Sequence, residues 1–323
     1  MARTGTSSFA TTPTTAERDQ SLGSILTALA ANTTIAVAKG TAAALTGSPA
    51  LFAETLHTIA DAGNEVLLWI ALRRSHRPAD PTHPLGYGPE RYYWALLAAV
   101  GMFVVGGALS IWEGVNALVH PPELEAFWAG VIVLGIALTL DSVSRAVALR
   151  QLRRDAERRG VTLRTLLRES PDPTVVTVYL EDTIDVLGAA LALVALVLHR
   201  VLESAVPDAI VTIVIGLLLG YVALRLTSRN RQLLANQAIP PRYLDRLRDR
   251  LVASAGVDGV PRLEAVYLGP GEVLVAADVR MEDGLSGDEV SALLARIRDE
   301  AARELPVIAR LYLTPVSNAG DAP

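Results

Sequence analysis

The sequence predicts an α-helical membrane protein, with six transmembrane helices followed by a small C-terminal cytoplasmic α+β domain. Three observations lead to this fold class. Of the 323 residues, 51% are hydrophobic and only 20% are charged, and the mean hydropathy is +0.35, which is unusual for a soluble domain. Six apolar stretches are each long enough to cross a bilayer. Near residue 236 the pattern changes to short amphipathic segments.

The six apolar stretches are rich in Ala, Leu, Val and Gly, and each approaches or exceeds the ~20 residues that a transmembrane helix needs. Residues 1–20 are rich in Thr and Ser and are predicted to be a disordered tail. The membrane domain is then expected over residues 21–234. Its predicted spans are 22–46, 50–72, 92–118, 127–150, 174–198 and 207–228.

Arginine is distributed unevenly between the loops. The loops after spans two, four and six are rich in arginine, whereas the loops on the other side carry almost none. Because arginine-rich loops stay in the cytoplasm, both termini are predicted to be cytoplasmic. Lys39 is the only lysine. This arginine bias suggests a G+C-rich genome, and a bacterial inner membrane is the expected location.

The segment from 235 to 315 predicts a ferredoxin-like α+β domain with the order α-β-β-α-β, and residues 316–323 predict a second disordered tail. Ser286 and Glu289 form a capping-box pattern at the start of the second helix. A domain of this size suggests a regulatory or dimerising role. Its predicted helices are 241–255 and 286–304, and its predicted strands are 262–268, 272–280 and 307–314.

Composition also excludes several function classes. The chain contains no cysteine, which excludes disulfide scaffolds, thiolate zinc sites and cysteine nucleophiles. The net charge of −5 leaves no broad basic field, so no nucleic-acid partner is expected. No phosphate-binding loop of the GxxxxGK[ST] type occurs, so nothing indicates transport driven by ATP.

Ionisable residues inside the predicted spans are the candidate functional residues, because charge in hydrocarbon is costly. In span two, His57 and Asp61 are four residues apart, which places them on one helix face where they could bind one divalent ion. In span five, Glu181, Asp182 and Asp185 need a compensating cation or protons. Facing ligands on two helices would make one buried metal site.

Structural alternatives exist for each of these residues. His57 alone could be a polar contact between helices, and Asp185 could be a ligand, a proton carrier or a partner of a ligand. Lys39 in span one could be a structural counter-charge or could extend its ammonium group to the membrane surface. For Asp141 in span four, hydrogen bonding in the interior and ion binding are both open.

The motifs that carry these residues resemble the cation diffusion facilitator family of zinc transporters. The resemblance covers about residues 20–315 and rests on HTIAD in span two, PLGYGPER before span three and the pattern EDxxxxxG in span five. The combination most resembles the subgroup of mitochondrial zinc transporters and their bacterial relatives. It implies a homodimer of chains with six spans and a small cytoplasmic α+β tail.

The resemblance also implies a tetrahedral ion between spans two and five, with two ligands from each. It maps His57, Asp61 and Asp182 onto the ligands. The fourth position falls on Val178, which cannot bind a metal, so Glu181, Asp185 or water would replace it. A second family site, in the loop after span two, would use Asp80, His83 and Tyr87, although tyrosine replaces a histidine there. The tail contains no histidine, so the His-rich tail site is not expected.

The resulting hypothesis is a homodimeric secondary transporter that exports a divalent cation from the cytoplasm in exchange for protons. Zinc is the expected ion, with manganese or iron(II) as alternatives, and no resident cofactor or enzymatic activity is expected. A membrane metalloenzyme is the weaker alternative, because no HExxH motif occurs and no third histidine lies near His57. A membrane scaffold or metal sensor without transport activity is a further alternative.

Overall fold

The structure is a computed structural model that describes residues 15–158, 160–169, 173–305 and 307–316. A π-helical segment, Met102–Ala108, joins two α-helical segments, so that Glu90–Val119 is one continuous helical stretch. The strands are β1 (Val257–Gly269), β2 (Glu272–Met281) and β3 (Ile308–Val316). The helices are α1 (Thr15–Thr46), α2 (Pro49–Ser75), α3 (Glu90–Gly101), α4 (Leu109–Val119), α5 (Phe127–Arg158), α6 (Leu163–Glu169), α7 (Pro173–Leu202), α8 (Val206–Leu234), α9 (Pro241–Val252) and α10 (Gly287–Glu304).

Every predicted span lies inside one of the long helical stretches. Within the described residues, four of these stretches are long and apolar enough to cross a membrane, and they lie in α3–α4, α5, α7 and α8. Helix α2 is less apolar because Glu54, Asp61 and Glu65 all lie within its length. Six membrane spans therefore remain a prediction, while the helical membrane character of the chain is clear.

Regular secondary structure extends into both predicted disordered tails. Helix α1 begins at Thr15, inside the predicted N-terminal tail, because residues 15–20 (TAERDQ) include good helix formers that continue the helix. Val316, the first residue of the predicted C-terminal tail, ends strand β3. The rest of the two tails, residues 1–14 and 317–323, lies outside the described residues.

The chain divides into two compact units. The helical unit consists of Thr15–Arg77 and Glu90–Arg231. Its core is formed by fully buried aliphatic side chains, among them Leu51, Leu134 and Leu196. Small residues bring helices close together: a Cβ atom at Gly107 would lie 3.3 Å from the Cα of Gly220. This is the packing expected of membrane helices, which associate through small side chains.

The start of α2 is held by its own cap residue and by a buried side chain from α8. Ser48 caps α2 and accepts a hydrogen bond from the backbone N–H of Leu51 at 3.2 Å. Oδ1 of Asp208, at the start of α8, accepts another from the N–H of Ala50 at 3.1 Å. Oδ2 of Asp208 lies 3.2 Å from Nδ1 of His199 on α7. The N–H of Ala50 thus finds its partner on α8 and the N–H of Leu51 finds its partner in the cap, and Asp208 links this end of α2 to α7.

The C-terminal unit contains the three-stranded sheet in the order β1-β2-β3. Strands β1 and β2 pair antiparallel, and β3 pairs parallel with β2 after the crossover through α10. The order α9-β1-β2-α10-β3 agrees with the predicted α-β-β-α-β order. The capping box at Ser286 and Glu289 is formed, and its hydrogen bonds lower the pKa of Glu289.

Strand β1 begins at Val257, five residues before its predicted start. The sequence there (VDGVP) resembles a turn, but Val257 pairs with Met281 and Gly259 pairs with Arg280. Register shifts on both sides of Gly259 accommodate the glycine and the following proline. Tertiary pairing therefore overrides the local turn preference.

The C-terminal unit also includes Pro78–Pro89, the segment between α2 and α3, here called the α2–α3 loop. Gly88 of this loop packs against the β1 end of the hairpin turn. A Cβ atom at Gly88 would overlap the carbonyl oxygen of Leu268 and would lie 3.1 Å from the Cα of Gly269. The sequence did not predict this contact, because it joins residues that are 180 positions apart.

Candidate metal centre

His57, Asp61 and Asp185 meet in the interior of the helical unit. Helix α2 places His57 and Asp61 one turn apart on one face, and Asp185 reaches the same point from α7. Nε2 of His57 lies 2.8 Å from Oδ1 of Asp185, and Nδ1 lies 3.6 Å from Oδ2 of Asp61. One ligand atom from each residue lies within 4.8 Å of the other two. We call these three residues the central cluster.

The central cluster has the donor set of a transition-metal site. One imidazole nitrogen and two carboxylate oxygens suit zinc, and carboxylates also suit manganese. His57 is fully buried and Asp61 is 7% exposed. Oδ1 of Asp61 is buried with no hydrogen-bond partner among the described residues, so it retains free lone pairs. Three protein ligands would leave the fourth position of a tetrahedral ion open to water.

The acidic residues of α7 take different positions. Asp185 belongs to the central cluster, whereas Asp182 is directed towards α5, where it hydrogen-bonds Ser144 and lies near Arg145. Oε1 of Glu181 accepts a hydrogen bond of 2.6 Å from Nδ2 of Asn64 on α2. The side chain of Val178 lies outside the described residues. The structure therefore brings together three of the five predicted ligands, and Asp182 is not among them.

Helical periodicity is compatible with this arrangement but does not select it. Glu181 is four residues from Asp185 and Asp182 is three residues from it, and both spacings place side chains on neighbouring parts of one helix face. The rotation of α7 decides between them, because it directs Glu181 towards Asn64 of α2 and Asp182 towards Ser144 of α5. The spacing that the family resemblance implies leads instead to Asp182.

A second buried polar group adjoins the central cluster. Nζ of Lys39 lies 3.0 Å from Oε2 of Glu54 and 3.1 Å from Oγ1 of Thr58. Lys39 is 1% exposed, so its ammonium group does not extend to the membrane surface. Of the two roles considered for Lys39, the structure supports a counter-charge. Asp141 of α5 lies within electrostatic range of Lys39, and its buried Oδ2 atom has no hydrogen-bond partner in the described part of the chain.

A small cavity lies towards the C-terminal half of α2. Asn64 and Glu181, which bond to each other, both line it, together with apolar side chains from the neighbouring helices. Glu65, four residues beyond Asp61, accepts a 2.9 Å hydrogen bond from Asn32 of α1. Polar contacts therefore continue along α2 beyond the central cluster.

In the α2–α3 loop, the predicted metal ligand Asp80 forms hydrogen bonds within the loop. Asp80 accepts hydrogen bonds from the backbone N–H groups of Thr82 and His83, and from the hydroxyl groups of Thr82 and Tyr87. These bonds hold the pKa of Asp80 well below its usual range. The ring of His83 stacks on Tyr87 with centroids 4.1 Å apart. Among the described residues, the only three-residue cluster of possible ligands is the central cluster. The structure thus brings Asp80, His83 and Tyr87 together, with the carboxylate of Asp80 engaged in hydrogen bonds of the loop itself.

Comparison with known proteins shows which family this chain matches. The family model described as "Cation efflux transmembrane domain" matches residues 25–235. The chain is 33% identical over 235 residues to "Proton-coupled zinc antiporter SLC30A9, mitochondrial" of Mus musculus. It is 34% identical over the same length to "Metal tolerance protein C4" of Arabidopsis thaliana. These matches cover 72% of this chain but only 41% and 51% of the two relatives.

A bacterial relative matches over more of its length. The chain is 27% identical over 267 residues to "Cation-efflux pump FieF" of Klebsiella pneumoniae, and the match covers 81% of each protein. The matched region of the family model includes all three residues of the central cluster.

Proposed function

The chain belongs to the cation efflux family, the cation diffusion facilitators, and we propose that it is a secondary transporter that exports zinc in exchange for protons. The observation that carries this proposal is the central cluster, in which α2 and α7 together offer one imidazole and two carboxylates, with His57 and Asp61 buried. The names of the relatives support a metal cation as substrate, and one of them names zinc and protons.

The exchange follows from the chemistry of the ligands. A metal ion needs a neutral imidazole and ionised carboxylates, so protons and metal compete for the same atoms. Zinc would enter from the cytoplasm and take Nε2 or Nδ1 of His57 and one oxygen each of Asp61 and Asp185. Protons arriving from the other side would then occupy these atoms and release the ion. Manganese and iron(II) are the alternative substrates, because the site contains more carboxylates than imidazoles.

Further parts of the proposal concern the assembly. We expect a homodimer with six membrane spans per chain, both termini in the cytoplasm, and a bacterial inner membrane as the location. The arginine-rich loops and the family membership support this arrangement.

The test is metal uptake into sealed proteoliposomes under an imposed pH gradient, with zinc, manganese and iron(II). We expect gradient-dependent zinc flux from the wild type and a loss of more than about tenfold in Asp61→Asn and Asp185→Asn. Asp182→Asn is the matched control, because it removes a carboxylate from the same helix outside the central cluster. It should keep most of the flux.

Two results would contradict the proposal in different ways. Loss of flux in Asp182→Asn with normal flux in Asp185→Asn would restore the ligand set that the family resemblance implies. A folded wild-type protein that binds zinc but transports none of the three metals would indicate a membrane metal sensor.

A further inference from the structure

The buried pair of Lys39 and Glu54 lies immediately beside the central cluster. Glu54 is fully buried and precedes His57 by three residues on α2, about one helical turn. Its carboxylate also lies against the backbone of α7, because a Cβ atom at Gly188 would overlap Oε1 of Glu54. Gly188 follows Asp185 by three residues. Glu54 is therefore about one turn from a cluster residue on each of the two helices.

Lys39 determines where this carboxylate is directed. Its ammonium group bonds Oε2 of Glu54 and the hydroxyl group of Thr58, and α1 carries it to this position from outside the two ligand helices. Lys39 also lies within electrostatic range of Asp185 and Asp141. A buried ion pair adds little net stability compared with apolar residues of similar size. Its presence beside the central cluster therefore calls for another role.

We propose, on the basis of the transport site above, that Lys39 is a specificity-determining residue which holds Glu54 out of the metal coordination sphere. The ion then meets one imidazole and two carboxylates. Without Lys39, the carboxylate of Glu54 is unpaired and one turn from the cluster on both helices, where it can add a third hard oxygen donor. Carboxylate oxygens favour manganese, and imidazole favours zinc, so the pair shifts the preference towards zinc.

The positive charge of Lys39 weakens the binding of every divalent ion, whichever metal it is. A fixed positive charge in a medium of low dielectric constant opposes a second cation, and Glu54 cancels this opposition. The Lys39–Glu54 pair is neutral as a whole, but each residue alone carries a charge. Removal of the Lys39 charge should therefore strengthen metal binding, and removal of the Glu54 charge should weaken it. Removal of both charges should restore the original affinity.

The experiment measures the dissociation constants of zinc and manganese for the purified full-length chain in detergent micelles, by competition with a chromophoric chelator. In Lys39→Met we expect manganese binding to tighten relative to zinc by about tenfold or more. In Glu54→Gln we expect both metals to bind about tenfold more weakly, because Lys39 loses its partner. The double variant Lys39→Met/Glu54→Gln should return close to wild-type affinity and selectivity. Lys39→Arg, which keeps the charge, is the control.

The outcomes separate this inference from the proposed function. If the wild type binds zinc and folded Lys39→Met keeps the wild-type ratio of the two affinities, the inference is wrong and the transport site stands. If Lys39→Met does not fold, Glu54→Gln decides: unchanged zinc affinity there also refutes the inference. A wild type that binds neither metal would refute the transport site, and this inference with it.

Discussion

Replacing Gly88 with alanine would add a methyl group where the α2–α3 loop packs against the hairpin of the C-terminal unit. The new Cβ atom would overlap the carbonyl oxygen of Leu268 and lie 3.1 Å from its carbonyl carbon. These are backbone atoms, which cannot rotate away as a flexible side chain can. The loop must therefore move off the turn.

The size of the effect follows from the packing. Adding a methyl group to a filled site costs about 1–3 kcal/mol. This cost would raise the equilibrium constant for detaching the loop roughly 5- to 150-fold. The amides of His83 and Gly86 bond within the loop, so their exchange with deuterium reports its opening.

Alanine variants of two other glycines serve as controls for this measurement. A Cβ atom at Gly269 would lie 3.0 Å from the Cα of Gly88, so Gly269→Ala should give a smaller acceleration at the same amides. A Cβ atom at Gly259 would meet no other described residue within 4 Å, apart from its chain neighbours, so Gly259→Ala should leave exchange in the loop unchanged. Hydrogen exchange measured by mass spectrometry gives all three values. Equal rates in all three variants, or no change in Gly88→Ala, would refute the packing argument.

Further predictions concern separate parts of the chain. Ser286→Ala removes the capping box of α10 and should destabilise the C-terminal unit by about 0.5–2 kcal/mol, measured by urea denaturation, whereas Ser291→Ala should cost much less. Leu196→Ala removes a fully buried side chain and should cost about 2–5 kcal/mol, visible as a lower thermal midpoint in detergent. The pKa of Asp80 is lowered by folding, so its contribution to loop stability is complete above its ordinary value of 3.8 and is lost as the pH falls below it. Loop amides should therefore exchange faster, relative to the intrinsic rate, below about pH 4, and Asp80→Asn should remove this dependence.

Much of the fold follows from local sequence patterns. Long apolar stretches located all six long helices, and alternation of apolar and polar residues located the sheet of the C-terminal unit. Ser286 and Glu289 predicted a helix start that the structure confirms. These features depend on residues close together in the chain. The early start of β1 at Val257 depends on pairing with Met281, and no local pattern contains that information.

The sequence predicts which side chains of α2 share a helix face at the candidate site, but it does not predict which acidic side chains of α7 face them. Spacing of four residues predicted His57 and Asp61 on one face of α2, and their side chains lie 3.6 Å apart. On α7, three acidic residues lie within five positions, and the sequence does not fix the rotation of α7 relative to α2. The structure supplies that rotation, which brings Asp185 towards His57 and directs Asp182 towards Ser144. The partnership of Lys39 with Glu54 likewise depends on how α1 packs.

The buried attachment of α2 at its first turn holds one end of the helix in place. Ala50 and Ser48 are bonded to Asp208, so a tilt of α2 about this end would keep these buried hydrogen bonds. At about 1.5 Å per residue, His57 lies about 10 Å from Ala50 along the axis and Asn64 about 21 Å. Any tilt therefore moves Asn64 about twice as far as His57. Such a tilt would stretch the Asn64–Glu181 bond more than the contact between His57 and Asp185.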